Sequence, residues 1–389
     1  MVVSTSPSAT NGAASSGAAR SAWIGIVGLL LTAISLLLPV GSKALAAPIE
    51  ITDIMNRQVS LEAPAKRILL GAGRHLPVLG LIHRDPASLL VGWRDDFRRD
   101  TASFSIWSSA SPKLADLPVV GGPAGSGLDI ETVVNLDPDL VILSLYDAEA
   151  SDTARSMEML ERLGIPVLVV DFFSHPLKNT LPSLRMLGSA LGVSDRAEAF
   201  IAFYQSHLEA VQKGLAAAPF ERPNVFMHVH AGGTPCCSTP GHGVFNDMID
   251  LAGGYNLALN HIPGLYGDVS VEQLIVDDPQ IYIATGGAHQ AAGGGLVLGP
   301  GISAEDANAS FQRLLGDPAL AQLTAVSQKR AQALWHMFND TPVHIVMIER
   351  LAKLFHPERF PDLDPQATLD TINRDFLPVP MTGTFWLDQ

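Results

Sequence analysis

The sequence predicts an α/β protein of two Rossmann-like lobes with parallel sheets, joined by a single long helix, with a ligand cleft between the lobes. Three observations predict it. Strand, loop and helix patterns alternate along most of the chain, which is the signature of a parallel sheet covered on both faces. One motif occurs twice: residues 128–144, LDIETVVNLDPDLVILS, return as residues 268–285, DVSVEQLIVDDPQIYIAT. Between the copies, residues 195–217 carry an unbroken helical pattern. A length of 389 residues suits two lobes of about 150 residues each.

Each copy of the motif is physically readable. Asp129 and Ser270 are N-caps, because a short side-chain oxygen accepts from the free first-turn N–H groups. Glu131 and Glu272 fall in the first turn, where the helix dipole favours negative charge by roughly 0.3–1 kcal/mol. Val133, Val134 and Leu136, and Leu274, Ile275 and Val276, are read as the apolar sides of the two helices. Asp-Pro then ends each helix at Pro138 and Pro279, since the residue before proline is driven out of the α region. The apolar runs 140–143 and 281–284 read as buried strands.

Composition bounds the class. Apolar residues make up 47% and charged residues 16%, as in a globular protein. The net charge of −14 argues against nucleic acid as a partner. Residues 1–46 read as an export signal: an apolar stretch over 22–40 precedes Ala44-Leu45-Ala46, which has the small-x-small form of a cleavage site, so cleavage is expected near Ala46. An uncleaved membrane anchor is the competing reading, against which stand Pro39, Gly41 and the cleavage-type triplet. No cysteine follows the apolar run, so the exported chain is not expected to be a lipoprotein. The leader holds Arg20 and Lys43 and no acid, which leaves the remainder near about −16.

In chain order, residues 51–61 read as a hairpin turning at Asn56 and Arg57, and Ile68, Leu69 and Leu70 as the first core strand. Loops at the carboxyl ends of strands line the ligand crevice of an open α/β sheet, which makes Arg74 and His75 candidates. Residues 89–93 form a second strand leading into Trp93 and Arg94, and 119–120 a short one. The strand of the first motif copy exits at Tyr146. A helix over 152–163 stops at Gly164, and a strand over 165–171 exits at Phe172, Phe173 and His175. The helix over 195–217 starts at an Asp195/Glu198 capping box and repeats Phe200, Phe203, Tyr204, Leu208, Val211 and Leu215 at helical spacing. At about 33 Å it is long enough to join two lobes.

The second lobe opens with a strand over 224–230, whose exit loop contains Cys236, Cys237 and His242. A helix covers 244–251, and the strand of the second copy exits at Gly286, Gly287 and His289. Ser303 caps a helix to Leu315. Residues 331–338 are read as one strand containing Trp335 and His336, and Thr341-Pro342 as an N-cap followed by proline at the first helical position. The tail from His356, rich in proline and aspartate, is expected to be irregular. The division is therefore a leader over 1–46, an N-terminal lobe over 47–193, a joining helix over 194–218 and a C-terminal lobe over 219–389.

No catalytic machinery stands out. The glycine-rich stretches 121–127 and 286–301 lack the Gly-Lys-Ser/Thr of a phosphate loop. There is no Gly-x-Ser-x-Gly nucleophile elbow and no marked carboxylate pair, so the chain is not expected to be an enzyme. His75, His175, His230, His242, His289 and His336 all fall at strand exits. One such histidine alone is more often structural, but six at corresponding positions point to at least one ligand contact. Arg74 and Arg94 suit bidentate binding of an anion, or else form salt bridges. Trp93, Trp335, Tyr146, Phe172 and Phe173 line a pocket or fill the core. The adjacent Cys236 and Cys237 are free thiols, a vicinal disulfide or metal ligands. Export favours the disulfide, and the metal reading, with His230 and His242, has no standard spacing behind it.

The residues also resemble a family. Pro64-x-x-Arg67-Ile68, the Glu131 to Ile142 block with its echo, Ala252-Gly253-Gly254-x-Asn256, and Trp335-His336-x-Phe338 with Pro342 and His356-Pro357 are similar to periplasmic binding proteins of iron–siderophore, haem and vitamin B12 ABC importers. The resemblance covers about residues 51–365. It implies two lobes bridged by one helix, a ligand clamped between them and no tightly bound cofactor. It implies that Glu131 and Glu272 dock on arginines of an inner-membrane ABC permease. The reading it supports is an exported, periplasmic, monomeric receptor for a ferric siderophore or similar iron(III) chelate. The alternatives are a haem receptor of the same fold, with a histidine such as His75 as axial ligand, or a metal-handling enzyme or metallochaperone using Cys236, Cys237 and nearby histidines. The expected ligand-binding set is Arg74, His75, Trp93, Arg94, Tyr146, His230, His242, Trp335 and His336.

Overall fold

A computed structural model describes residues 47–389 except Pro123, Thr234 and Pro235. The leader and its cleavage site lie outside the described residues. Among the described residues no helix is long and apolar enough to cross a membrane.

The first sheet has four parallel strands: β1 (Ile68–Leu70), β2 (Leu90–Trp93), β3 (Leu140–Ser144) and β4 (Val167–Val170). Their order is β2-β1-β3-β4. The second sheet contains β5 (Asn224–His228), β6 (Tyr255–Asn256), β7 (Ile281–Gly286), β8 (Ala331–Trp335) and β9 (Trp386–Asp388), in the order β6-β5-β7-β8-β9. Only β9 runs antiparallel. The first four strands of each sheet therefore share one order, and the repeated motif supplies the equivalent strands β3 and β7. Both are buried along their whole length, which is why they read as unbroken apolar runs.

The motif helices are Ile130–Leu136 and Val271–Asp277. Asp129 accepts from the Thr132 N–H and Ser270 from the Gln273 N–H, as their short polar side chains predict. Asp137 and Asp278, each before its proline, take the left-handed conformation at φ 46° and 35°. The apolar sides are narrower than expected. Val133 and Leu274 are buried, whereas Val134 is 43% and Val276 77% exposed, because seven-residue helices cover the core with one side only.

The joining helix spans Ser194–Ala216 and packs on Pro176–Ala190 of the first lobe and on His344–Phe355 of the second. It buries Phe200, Ile201, Tyr204, Val211 and Leu215. Tyr204 Oη lies 2.7 Å from His344 Nε2, a polar fastener within that packed face. The expected capping box does not form. The helix starts one residue earlier, after Val193, so Asp195 lies inside the first turn and Glu198 pairs instead with Arg185 at 2.7 Å.

Four further expectations need correction. Residues 119–120 form no strand, only a single bridge from Trp93 to Val119. The strand expected over 331–338 ends at Trp335, where His336–Asp340 turns into a 3-10 helix. The following helix begins at His344, and the Thr341 hydroxyl accepts from the Val343 N–H within the preceding turn. The tail is not irregular. It forms the helix Pro365–Asp375, capped by Asp364, and then the edge strand β9. Asp364-Pro365 is itself a helix-start signal, and Leu369, Ile372, Leu377, Val379, Met381 and Phe385 are buried apolar anchors that outweigh the polar composition.

Candidate functional site

A strand order of 2-1-3-4 has its switch point between the first and third strands, and ligands bind where the loops diverge there. In the first lobe these exits carry Arg74 after β1, and Tyr146 and Asp147 after β3. In the second they carry His230 after β5 and His289 after β7, with His336 to Asp340 following β8. The two sets meet at a cavity of about 400 Å³. The first lobe contributes Arg74, Asp96, Phe97, Trp107, Tyr146 and Phe173, and the second His230, His289, Trp335, His336, Asn339 and Asp340. The tail closes one side with Leu377, Val379 and Met381.

Three imidazoles gather on the second-lobe wall. The rings of His230 and His336 lie 3.8 Å apart and those of His230 and His289 5.2 Å apart. The Gln290 amide donates to His289 Nε2 at 3.1 Å, so that nitrogen accepts, and the N–H of His230 Nδ1, 3.2 Å away, shares the same single lone pair. This tautomer leaves a lone pair on His230 Nε2. Thr285 Oγ1 lies 2.9 Å from His336 Nδ1 and fixes that ring. Burial, then the neighbouring His289, pushes His230 down to about 4, and burial also depresses His289. His336 is driven well below its ordinary range by burial and by both other histidines. All three are neutral at pH 7, the form in which imidazole binds metals, and the free lone pair is the one on His230 Nε2.

Opposite them Arg74 is already surrounded by carboxylates. The Arg74 guanidinium meets Asp96 at 2.8 Å, Asp147 at 3.6 Å and Asp340 through Nε. Asp340 belongs to the second lobe, so this pair crosses between the lobes. Burial lifts Asp340 to about 6 while Arg74 pulls the other way. A carboxyl raised in the folded state holds a proton that the unfolded chain has lost. Its contribution to stability is therefore present below about pH 4 and disappears as the pH rises through about 6. Asp340→Asn is expected to flatten that dependence by about 2 kcal/mol between pH 4.5 and 7. Urea unfolding at pH 4.5 and 7 checks this, and a variant with the wild-type pH profile would contradict it.

Of the residues expected to bind ligand, Arg74, Tyr146, His230, Trp335 and His336 line the cavity. His75, Trp93, Arg94 and His242 do not. His75 is buried against the edge of Phe172, is pushed down to about 3 by burial and by Arg74, and has neither ring nitrogen hydrogen-bonded. Trp93 is wholly buried among Phe97 and Phe104. Arg94 is spent internally, donating to Asp147 at 2.9 Å and to the Ser126 carbonyl at 2.7 Å. His242 is exposed away from the cavity. Glu131 and Glu272 are exposed in the first turns of the motif helices. Of the three states open to the adjacent cysteines, the structure has the Cys236–Cys237 disulfide.

Sequence reasoning missed the carboxylates Asp96, Asp147 and Asp340 and the tail residues Leu377, Val379 and Met381. Asp147 follows a strand exit and could have been found by the rule that found Tyr146. Asp96 and the tail residues lie on segments with no motif, and Asp340 falls between Phe338 and Pro342 without being one of the quoted motif positions. Tyr146 and Phe173, both named as possible pocket aromatics, meet edge-on at 5.5 Å, and Phe173 stacks on Tyr266 of the second lobe at 6.3 Å, a partner that sequence reasoning missed.

Comparison with known proteins extends this picture. A family model described as periplasmic binding protein matches residues 99–334. A cobalamin-binding protein of Halobacterium salinarum is 21% identical over 319 residues, covering 81% of this chain and 76% of that one. The crystal structure of the TroA-like periplasmic binding protein FepB from Veillonella parvula superposes with a TM-score of 0.79 at 25% identity, covering 88% of this chain and all of that one. The periplasmic heme-binding protein RhuT from Roseiflexus sp. RS-1 shares the fold at 19% identity and a TM-score of 0.54, over 76% of this chain and 99% of that one.

Proposed function

The chain belongs to the periplasmic binding protein family, and from that membership we propose that it is the exported receptor of an ABC importer for a bulky metal chelate of the iron(III)-chelate class. Its metal, in this reading, takes an imidazole nitrogen from the His230, His289 and His336 group. The observation that carries the proposal is three neutral imidazoles on one wall of an inter-lobe cavity in which Arg74 is already matched by carboxylates. Such a wall offers nitrogen ligands to a metal centre. A planar haem or corrin ligand is the second reading, favoured by the same imidazoles and by the largely apolar and aromatic remainder of the wall.

Trp107 and Trp335 line the cavity, so tryptophan fluorescence reports on its occupancy. A titration would compare several ferric siderophores, their iron-free forms, haemin, cobalamin and bare metal ions. Saturable quenching by a ferric chelate supports the first reading. Haemin binding with a ligated Soret band moves the assignment to the second. Response to bare ions alone would overturn both.

The receptor acts as a monomer in the periplasm after its leader is removed, holds no resident cofactor and turns nothing over. Glu131 and Glu272, exposed at equivalent places in the two lobes, are its docking points on the permease. Val134 and Val276 leave apolar surface exposed on the same two helices. Glu131→Ala combined with Glu272→Ala is expected to leave the fluorescence titration unchanged and to lower uptake in cells at least about tenfold, since buried interface charges contribute a few kcal/mol each. Normal uptake by the double variant would remove the docking assignment.

A further inference from the structure

We propose that Cys236, Cys237 and His228 form a second, redox-gated site that takes up one divalent cation of the zinc class when the disulfide is reduced. A ring nitrogen of His228 and both sulfur atoms lie within 4.8 Å of one another. Among the described residues no other group of three histidine, cysteine or acidic side chains comes as close. None of the three lines the cavity.

The histidine is arranged as a ligand would be. His228 ends β5 and is 2% exposed. Its Nδ1 lies 2.7 Å from the hydroxyl of Tyr282, a fully buried residue of the neighbouring strand β7, and its Nε2 is buried with no partner. A metal-bound imidazole has its second nitrogen fixed by such a hydrogen bond. The hydrogen-bonding role of Nε2 is otherwise unfilled, which is rare for a buried polar atom.

The cysteines are held in place and reachable. The Cys237 N–H donates to the Val269 carbonyl and the Val269 N–H to the Cys237 carbonyl, both at 3.0 Å. Cys237 is buried and Cys236 exposed, so a cation can enter from the Cys236 side. Bonded to each other, the sulfurs are poor ligands, and the site is closed. A dithiol reductant opens it: two electrons and two protons pass to Cys236 and Cys237, and the reductant's thiols become a disulfide. The cation then displaces the two thiol protons, while His228 Nε2 contributes a lone pair and loses no proton. Two thiolates and one imidazole leave the fourth tetrahedral position to water.

The test uses the purified chain without its leader, oxidised and then reduced with a phosphine under argon, and titrated with Co(II) as the probe. One Co(II) per reduced chain is expected, with thiolate-to-metal charge-transfer absorption that Zn(II) abolishes by displacement. The oxidised protein should show none. His228→Gln should weaken Co(II) binding at least tenfold while circular dichroism shows the fold unchanged. Three results would overturn the proposal: a reduced protein with two titratable thiols and no charge-transfer band, equal binding by both redox forms, or a disulfide that the reductant does not open in the folded chain. The oxidised-against-reduced comparison needs no variant, and chelate binding in the cavity is a separate readout.

Discussion

Replacing both His230 and His289 with alanine is expected to weaken binding of the metal chelate by about thirtyfold to a thousandfold. That is the effect of losing a central contact worth about 2–4 kcal/mol. His289 is exposed and His230 half-buried, so truncation leaves the apolar core intact. Thermal melting should move little while the fluorescence titration moves far. The same imidazoles set the pH dependence. A free imidazole protonates near 6.5 and stops binding metals below that pH. Burial holds His230 to about 4 and keeps His336 well below its ordinary range. Affinity should therefore stay level from pH 8 to about 5 and fall only below that. A double variant with wild-type affinity, or a loss of binding centred on pH 6.5, would remove these histidines from the site.

Arg74→Ala is expected to destabilise the protein by about 3–5 kcal/mol, the loss that follows when one partner of a buried ionic group is deleted. Asp96, Asp147 and Asp340 all face the Arg74 guanidinium, and Asp147 alone keeps another, that of Arg94. Asp340 would then be a buried carboxylate without a cation, beside His75 Nε2 at 4.0 Å, itself neutral. Adding Asp340→Ala to the variant should recover part of the loss, because the two substitutions share one interaction. Urea unfolding of the wild type, both single variants and the double variant measures this. A loss below about 1 kcal/mol in Arg74→Ala, or strict additivity, would show that the inter-lobe ion pair contributes little.

The parts of this protein that local rules govern were legible. Asp129 and Ser270 cap their helices because a side-chain oxygen three residues from an N–H needs no distant partner. Strands β3 and β7 read as buried because the runs 140–143 and 281–284 within them are apolar. The parts set by distant partners were not legible. Asp96 lies 22 positions from Arg74, and nothing local to Asp340 announces that it faces the same guanidinium from the other lobe. For that reason Arg74 and Arg94 could be read as anion clamps although the fold uses both internally. The histidines form the intermediate case. The strand-exit rule selected His75, His175, His230, His242, His289 and His336 alike, and only the sheet order sorts them. His230, His289 and His336 leave β5, β7 and β8 on one side of the cleft, whereas His75 turns into its own lobe. The tail was misjudged because its prolines and aspartates hid buried apolar residues spaced between them.

The central claim is that an imidazole of this chain reaches the metal of the captured chelate. Iron K-edge X-ray absorption of the purified protein loaded with the ferric chelate that quenches its fluorescence tests it most directly. The account predicts nitrogen and outer-ring scattering from coordinated imidazole that is absent from the free chelate and lost in the His230→Ala, His289→Ala double variant. Identical spectra for the free and protein-bound chelate would contradict it.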